Sequence, residues 1–104
     1  MAASQDLTAG GGGQTVNVTG AAAQLVKNGG GRLEAVLVTA VNTGTTWTFY
    51  DFNSITGYVN GTIIGVIPSG TTAGTIFRLQ MPTSLGIVAV PTGGSAGSLT
   101  TSFC

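Results

Sequence analysis

The residues best suited to acid–base chemistry are three carboxylates, Asp6, Glu34 and Asp51, together with one thiol, Cys104. Glu34 and Asp51 fall within Gly31–Phe52, a stretch that reads as a hairpin turned at Asn42–Gly44. Pairing its two halves would set both carboxylates side by side at the open end. A glycosidase needs such a pair at a controlled separation inside a cleft, and a dense run of short strands and short loops offers no obvious cleft. The chain has no His, which excludes the usual Ser-His-Asp and Cys-His arrangements and His-based metal sites. Its single Cys excludes thiolate zinc sites, CxxC redox chemistry and an internal disulfide. The chain is therefore expected not to be an enzyme, and to use no cofactor, no metal and no small-molecule substrate.

The remaining charges are too few for an electrostatic function. Lys27, Arg32 and Arg78 are the only basic residues. They cannot form the phosphate-tracking stripe that nucleic-acid binding requires. The glycine runs Gly10–Gly13 and Gly29–Gly31 are followed by no Gly-Lys-Ser/Thr and open no helix, so neither is a phosphate loop. Salt bridges among Arg32, Glu34, Asp51 and Arg78 are the expected use of these side chains, fixing strand register more than adding stability.

Those residues must be positioned by strands. From Thr15 onward the pattern is β nearly throughout. Extended segments are expected at Thr15–Thr19, Ala22–Lys27, Leu33–Val41, Thr45–Phe52, Thr62–Ile67, Gly74–Met81, Leu85–Val90 and from Leu99 to Phe103. Gly, Pro or Asn punctuates each interval, including Asn60-Gly61, a strong turn signal. No window holds helical periodicity. The expected fold is all-β: one small antiparallel β-sandwich of about eight strands, jelly-roll-like. Residues 1–14 are expected as a flexible Gly-rich N-terminal arm and 15–104 as the sandwich domain. No apolar stretch approaches the length of a membrane span, and MAASQDLTAG has neither the basic nor the apolar region of a signal peptide.

Alternation assigns faces. Trp47 and Phe49 share one side of their strand and belong in the core. Leu33, Leu37, Phe77 and Leu79 are expected there with them. Trp47 on an exposed carbohydrate platform is the competing arrangement. Val36 and Val38 fall on the second face of a strand that is apolar on both sides, which implies that both faces are covered. Tyr50, Phe52 and Tyr58 form a candidate exposed apolar patch. Only 6% of residues are charged and the net charge is zero, so little repulsion keeps copies apart and association is favoured. The candidate contacts with a neighbouring subunit or partner are accordingly Gly10, Gly11, Gly12 and Gly13 of the arm with Val36, Val38, Tyr50, Phe52 and Tyr58.

The segment Val26-Lys27, Gly29–Leu33, then Thr46–Asp51 in a T-x-T-x-Y-D strand, and Gly57, resembles small structural proteins of tailed-bacteriophage virions. The later GTIIGVIP and GIVAV strands are similar to that group as well. The resemblance spans about residues 25–103. It implies a virion β-sandwich protein of the capsid decoration, or cement, type, made in the host cytoplasm and located on the capsid surface. Such a protein binds the major capsid protein and itself, as a homotrimer, and clamps neighbouring capsid subunits. It binds no nucleic acid and no membrane. A tail, neck or fibre-associated virion β-domain, and a carbohydrate-binding module using Trp47, Tyr50 or Tyr58, are the alternatives.

Overall fold

Val, Ile, Thr and aromatic residues fill the segments between the Gly and Pro punctuation. These types favour the half-buried pleated surface of a sheet. The structure, a computed structural model, describes residues 14–20, 22–40, 44–93 and 97–104. They form eight strands: β1 (Gln14–Gly20), β2 (Gln24–Asn28), β3 (Gly31–Ala40), β4 (Thr45–Asp51), β5 (Thr62–Ile67), β6 (Ile76–Thr83), β7 (Gly86–Gly93) and β8 (Gly97–Phe103). A short 3-10 turn, Tyr58–Asn60, lies between β4 and β5. The expected arm at Gly10–Gly13 lies outside the described residues. Gln14, expected as its last residue, opens β1.

The strands pair as one long hairpin rolled on itself. β1 pairs with β8, β2 with β7, β3 with β6 and β4 with β5, all antiparallel. Rolling adds β3 to β8 and β4 to β7. The result is a first sheet in the order β1-β8-β3-β6 and a second in the order β2-β7-β4-β5. Two four-stranded sheets connected this way are a jelly roll. The tip of the rolled hairpin is the loop after β4 that carries Tyr58.

This topology corrects the hairpin expected at Gly31–Phe52. β3 and β4 are consecutive, yet they lie in different sheets. β3 is flanked by β8 and β6, and β4 by β7 and β5. Glu34 and Asp51 therefore do not face each other across a ladder.

Between the sheets lies one core. Val18, Leu33, Val36, Val38, Leu99 and Phe103 enter it from the first sheet. Val26, Trp47, Phe49, Ile64, Ile67, Ile87 and Ala89 enter from the second. Val16, Phe77 and Leu79 pack against its margin. Trp47 and Phe49 have no exposed surface, and the Trp47 indole N–H finds no partner among the described residues. Trp47 is a packing residue and not a ligand platform.

The placement of Val36, Val38 and Leu37 reverses the expectation. Val36 and Val38 are completely buried in the core, whereas Leu37, expected inside, is 36% exposed. The cause is a bulge. Leu33 lies opposite Phe103 and Ala35 opposite Ser102, so Glu34 is one extra residue against β8. A single inserted residue reverses the phase of every side chain beyond it. Leu33, Val36 and Val38 consequently share the inner face, and Ala35 and Leu37 turn outward. The strand closed on both faces is β7, whose residues from Gly86 to Val90 are all buried.

Two prolines expected to close strands are inside them. Pro82 lies in β6, an edge strand. Pro91 lies in β7, but β2 pairs with β7 only as far as Ala89. At Pro91 one side of β7 is already an edge, where a missing N–H removes no ladder bond. The margin between β5 and β6 is sealed by Leu79, which lies over Gly65 so closely that a Cβ there would sit 2.7 Å from its Cδ1.

Candidate interaction surface

Charged side chains are used as internal fasteners. The Asp51 carboxylate, at the end of β4, accepts hydrogen bonds from three successive backbone N–H groups of the β6–β7 turn. Ser84 donates at 3.0 and 3.1 Å, Leu85 at 2.8 Å and Gly86 at 3.3 Å. Burial alone would raise the Asp51 pKa, but these donors outweigh it and hold the carboxyl below its ordinary value. Gly86 is required in this turn because a side chain would collide with the Lys27 carbonyl. Arg32 donates from Nη1 to the Gln80 carbonyl at 2.9 Å. Glu34 accepts from the Ser102 hydroxyl at 3.1 Å. Among the described residues, the partners of Arg32, Glu34 and Asp51 are thus backbone groups and a hydroxyl, where salt bridges were expected. Cys104 is exposed. Burial of its sulfur, followed by the Glu34 charge and a hydrogen bond from the thiol to Glu34, raises its pKa against the opposing pull of Arg32 and Lys27. Among the described residues, no three His, Cys, Asp or Glu side chains converge into a metal-holding group.

The two sheets differ in what they show to solvent. The outer face of the first sheet is mainly polar. Thr15, Asn17 and Thr19 of β1 lie opposite Ser102, Thr100 and Ser98 of β8. Thr39 donates to Ser98 across the same face at 2.6 Å. Its apolar part is the Leu37–Ile76 pair between β3 and β6.

The outer face of the second sheet is apolar. Leu25, Val88, Tyr50 and Ile63 lie in one row across β2, β7, β4 and β5. Val90, Thr48 and Val66 form the neighbouring row. Val88, at the middle of the first row, has no exposed surface, while Ile63 is 53%, Val66 47% and Leu25 41% exposed. The tip loop supplies Tyr58, whose ring centroid lies 5.3 Å from that of Tyr50 at an interplanar angle of 50°. Tilted aromatic pairs at this distance attract beyond simple burial. Ile55 and Val59 of the same loop are exposed as well.

Tyr50 and Tyr58 are therefore brought together, each half-buried. Phe52 is also half-buried and follows β4 into the loop, where its backbone N–H bonds to the Tyr50 carbonyl at 3.1 Å. Val36 and Val38 are removed from the surface set by the bulge. Leu25, Ile63 and Val66, which sequence alternation did not single out, are added. The signal for Ile63 was weak because Thr62–Ile67 is apolar in both phases, and a bulge at Ile64 decides between them. Covering the exposed half of an Ile, Leu or Val side chain contributes on the order of 1 kcal/mol, so this face can adhere to a complementary apolar surface. No family model, curated protein or solved structure matches the chain.

Proposed function

We propose that the chain is a structural virion protein that binds the outer capsid surface and clamps neighbouring major capsid proteins, stabilising the head. The observation that carries this reading is the apolar outer face of the second sheet. Exposed apolar patches of this kind accompany interaction sites, and a chain with six charged residues and no net charge has little to oppose association. The jelly roll supports the reading as analogy only. It serves in viral capsid domains, and also in lectins. Self-association and contact with the major capsid protein are both parts of the proposal. A clamp requires a rigid scaffold and an adhesive surface, and it requires no reacting group.

A carbohydrate-binding role would have to rest on Tyr50 and Tyr58, because Trp47 is sealed in the core. The two tyrosine rings are tilted, not coplanar, which is unlike a flat stacking platform.

The test is the composition of purified particles of the phage that encodes the chain. A decoration protein is expected at a fixed high ratio to the major capsid protein, on the shell in a density map, with Ile63→Lys folding normally but leaving the shell. Presence in only a few copies would assign it to the tail, neck or fibre. Absence from particles would overturn the virion reading.

A further inference from the structure

The sandwich has four edge strands, β1, β6, β2 and β5. An edge presents a row of unpaired backbone groups, and natural proteins block such rows with charges, Pro, bulges or very short strands. Three of the edges are blocked. β6 carries Arg78 and Pro82, and its Gln80 adopts φ 52°. β2 has five residues, a bulge at Val26 and a charge at Lys27. β5 bulges at Ile64, and Leu79 of β6 lies over its Gly65. β1 has none of these devices. Its seven residues pair with β8 in unbroken register, and QTVNVTG contains no charge and no Pro. Among the described residues, none of the turn and loop backbone bonds reaches β1.

We propose that β1 is a pairing edge for a second copy of this chain, β1 against β1 in antiparallel fashion across a two-fold axis at Asn17. The two first sheets then become one continuous sheet. The strand is self-complementary in this register. Val16 meets Val18 of the other copy on the inner face, and Thr15 meets Thr19 on the outer face. Asn17 meets itself at the axis. Val16 is only half-buried at the margin of the core, and the pairing covers its remaining surface. No charge meets a like charge anywhere along the seam. About six backbone hydrogen bonds close it, two for each residue that points outward.

The size of the contact sets its strength. A seam of seven residues is about 24 Å long at the usual rise per residue, and the sandwich is 17 Å thick. That footprint is about 400 Å² per copy, half the roughly 800 Å² per partner of a standard stable interface. The pair is therefore weak in free solution and becomes populated at high concentration or on a shared surface. It has two-fold symmetry, in place of the trimer that the family resemblance implies. The proposal does not depend on the virion reading, since it follows from the edge alone.

Sedimentation equilibrium on the full chain at concentrations up to about 1 mM covers the millimolar range expected of so weak a contact. The wild-type chain is expected to dimerise within it. Asn17 is exposed, so Asn17→Lys leaves the melting curve in place while setting two like charges face to face. It is expected to weaken the dimer about fivefold. An equimolar mixture of Asn17→Lys and Asn17→Asp chains restores association, because residue 17 meets its own counterpart only in this register. A wild-type chain that stays monomeric throughout, an Asn17→Lys chain that dimerises as the wild type does, or a mixture that fails to recover would overturn the proposal. Loss of the dimer in Ile63→Lys alone would transfer the contact to the second sheet's outer face, and would equally overturn it.

Discussion

Replacing Asp51 by Asn removes one charge and leaves the shape of the side chain intact. In the native fold that carboxylate holds three N–H groups of the Ser84–Gly86 turn. Hydrogen bonds to an ionised acceptor contribute about 1.5–3 kcal/mol each when shielded. Ser84 and Leu85 are exposed, so water competes and each bond is better valued at about 0.5–1 kcal/mol. The three together then contribute about 2 kcal/mol, of which Asn, with one acceptor oxygen and no charge, is expected to lose about 1.5 kcal/mol. For a domain of this length that loss lowers the melting temperature by about 6–10 °C. Urea titration followed by fluorescence of Trp47, the only Trp, gives the free energy directly. The pH dependence supplies the sharper test. The Asp51 pKa is depressed in the folded state. Its stabilisation is accordingly complete above the unfolded value near 3.8 and is lost as pH falls through the lower folded value. The gap between wild type and Asp51→Asn should be full at neutral pH and should close in acid. A variant as stable as wild type at neutral pH, or a gap that persists unchanged after both states are protonated, would refute this account of the turn.

The bulge at Glu34 makes a phase prediction. Val36→Lys should destabilise severely, by about 3 kcal/mol or more, because it buries an unpaired charge, whereas Leu37→Lys should stay within about 0.5 kcal/mol of wild type. Thermal melts of the two variants check this, and the opposite ranking would restore simple alternation along β3. At Cys104 the raised pKa leaves less thiolate available, so iodoacetamide at mildly alkaline pH should alkylate it more slowly than an unstructured peptide cysteine. Glu34→Gln should speed the reaction, and equal rates in all three would exclude the Glu34 contribution.

The strand segments were legible because their punctuation is chemical: Gly and Asn at turns, β-branched residues between them. Pairing was not legible. Leu33–Val41 and Thr45–Phe52 look like a hairpin because adjacent strands often pair, but periodicity carries no information about which sheet a strand joins. Faces were legible only where alternation is clean. In β4, Trp47 and Phe49 against Thr48 and Tyr50 gave the core and the tyrosine patch directly. In β3 from Ala35 to Val38 and in β5 at Ile63, Ile64, Val66 and Ile67 both phases are apolar, so one extra residue at Glu34 or Ile64 could shift the phase without leaving a visible mismatch. Both bulges are stabilised by tertiary partners, β8 for one and β4 for the other, and no local signal in the chain reports them. Simple alternation therefore places Val36, Val38 and Leu37 on the wrong faces and passes over Ile63 and Val66.

The rolled pairing has a consequence for how the molecule is made. β8 lies between β1 and β3, and β7 lies between β2 and β4. β7 and β8, the most C-terminal of the eight described strands, therefore occupy the interior of the two sheets. Neither sheet can close before residues 86–103 are free to pair, and until then β1 and β2 have no partner strand while β3 and β4 have one neighbour each. Such non-local pairing slows folding toward milliseconds or longer and exposes the nascent chain to aggregation. Removing β8 would cost both β1 and β3 a pairing partner, a far greater loss than its seven residues suggest. Closure of both sheets is governed by residues 86–103.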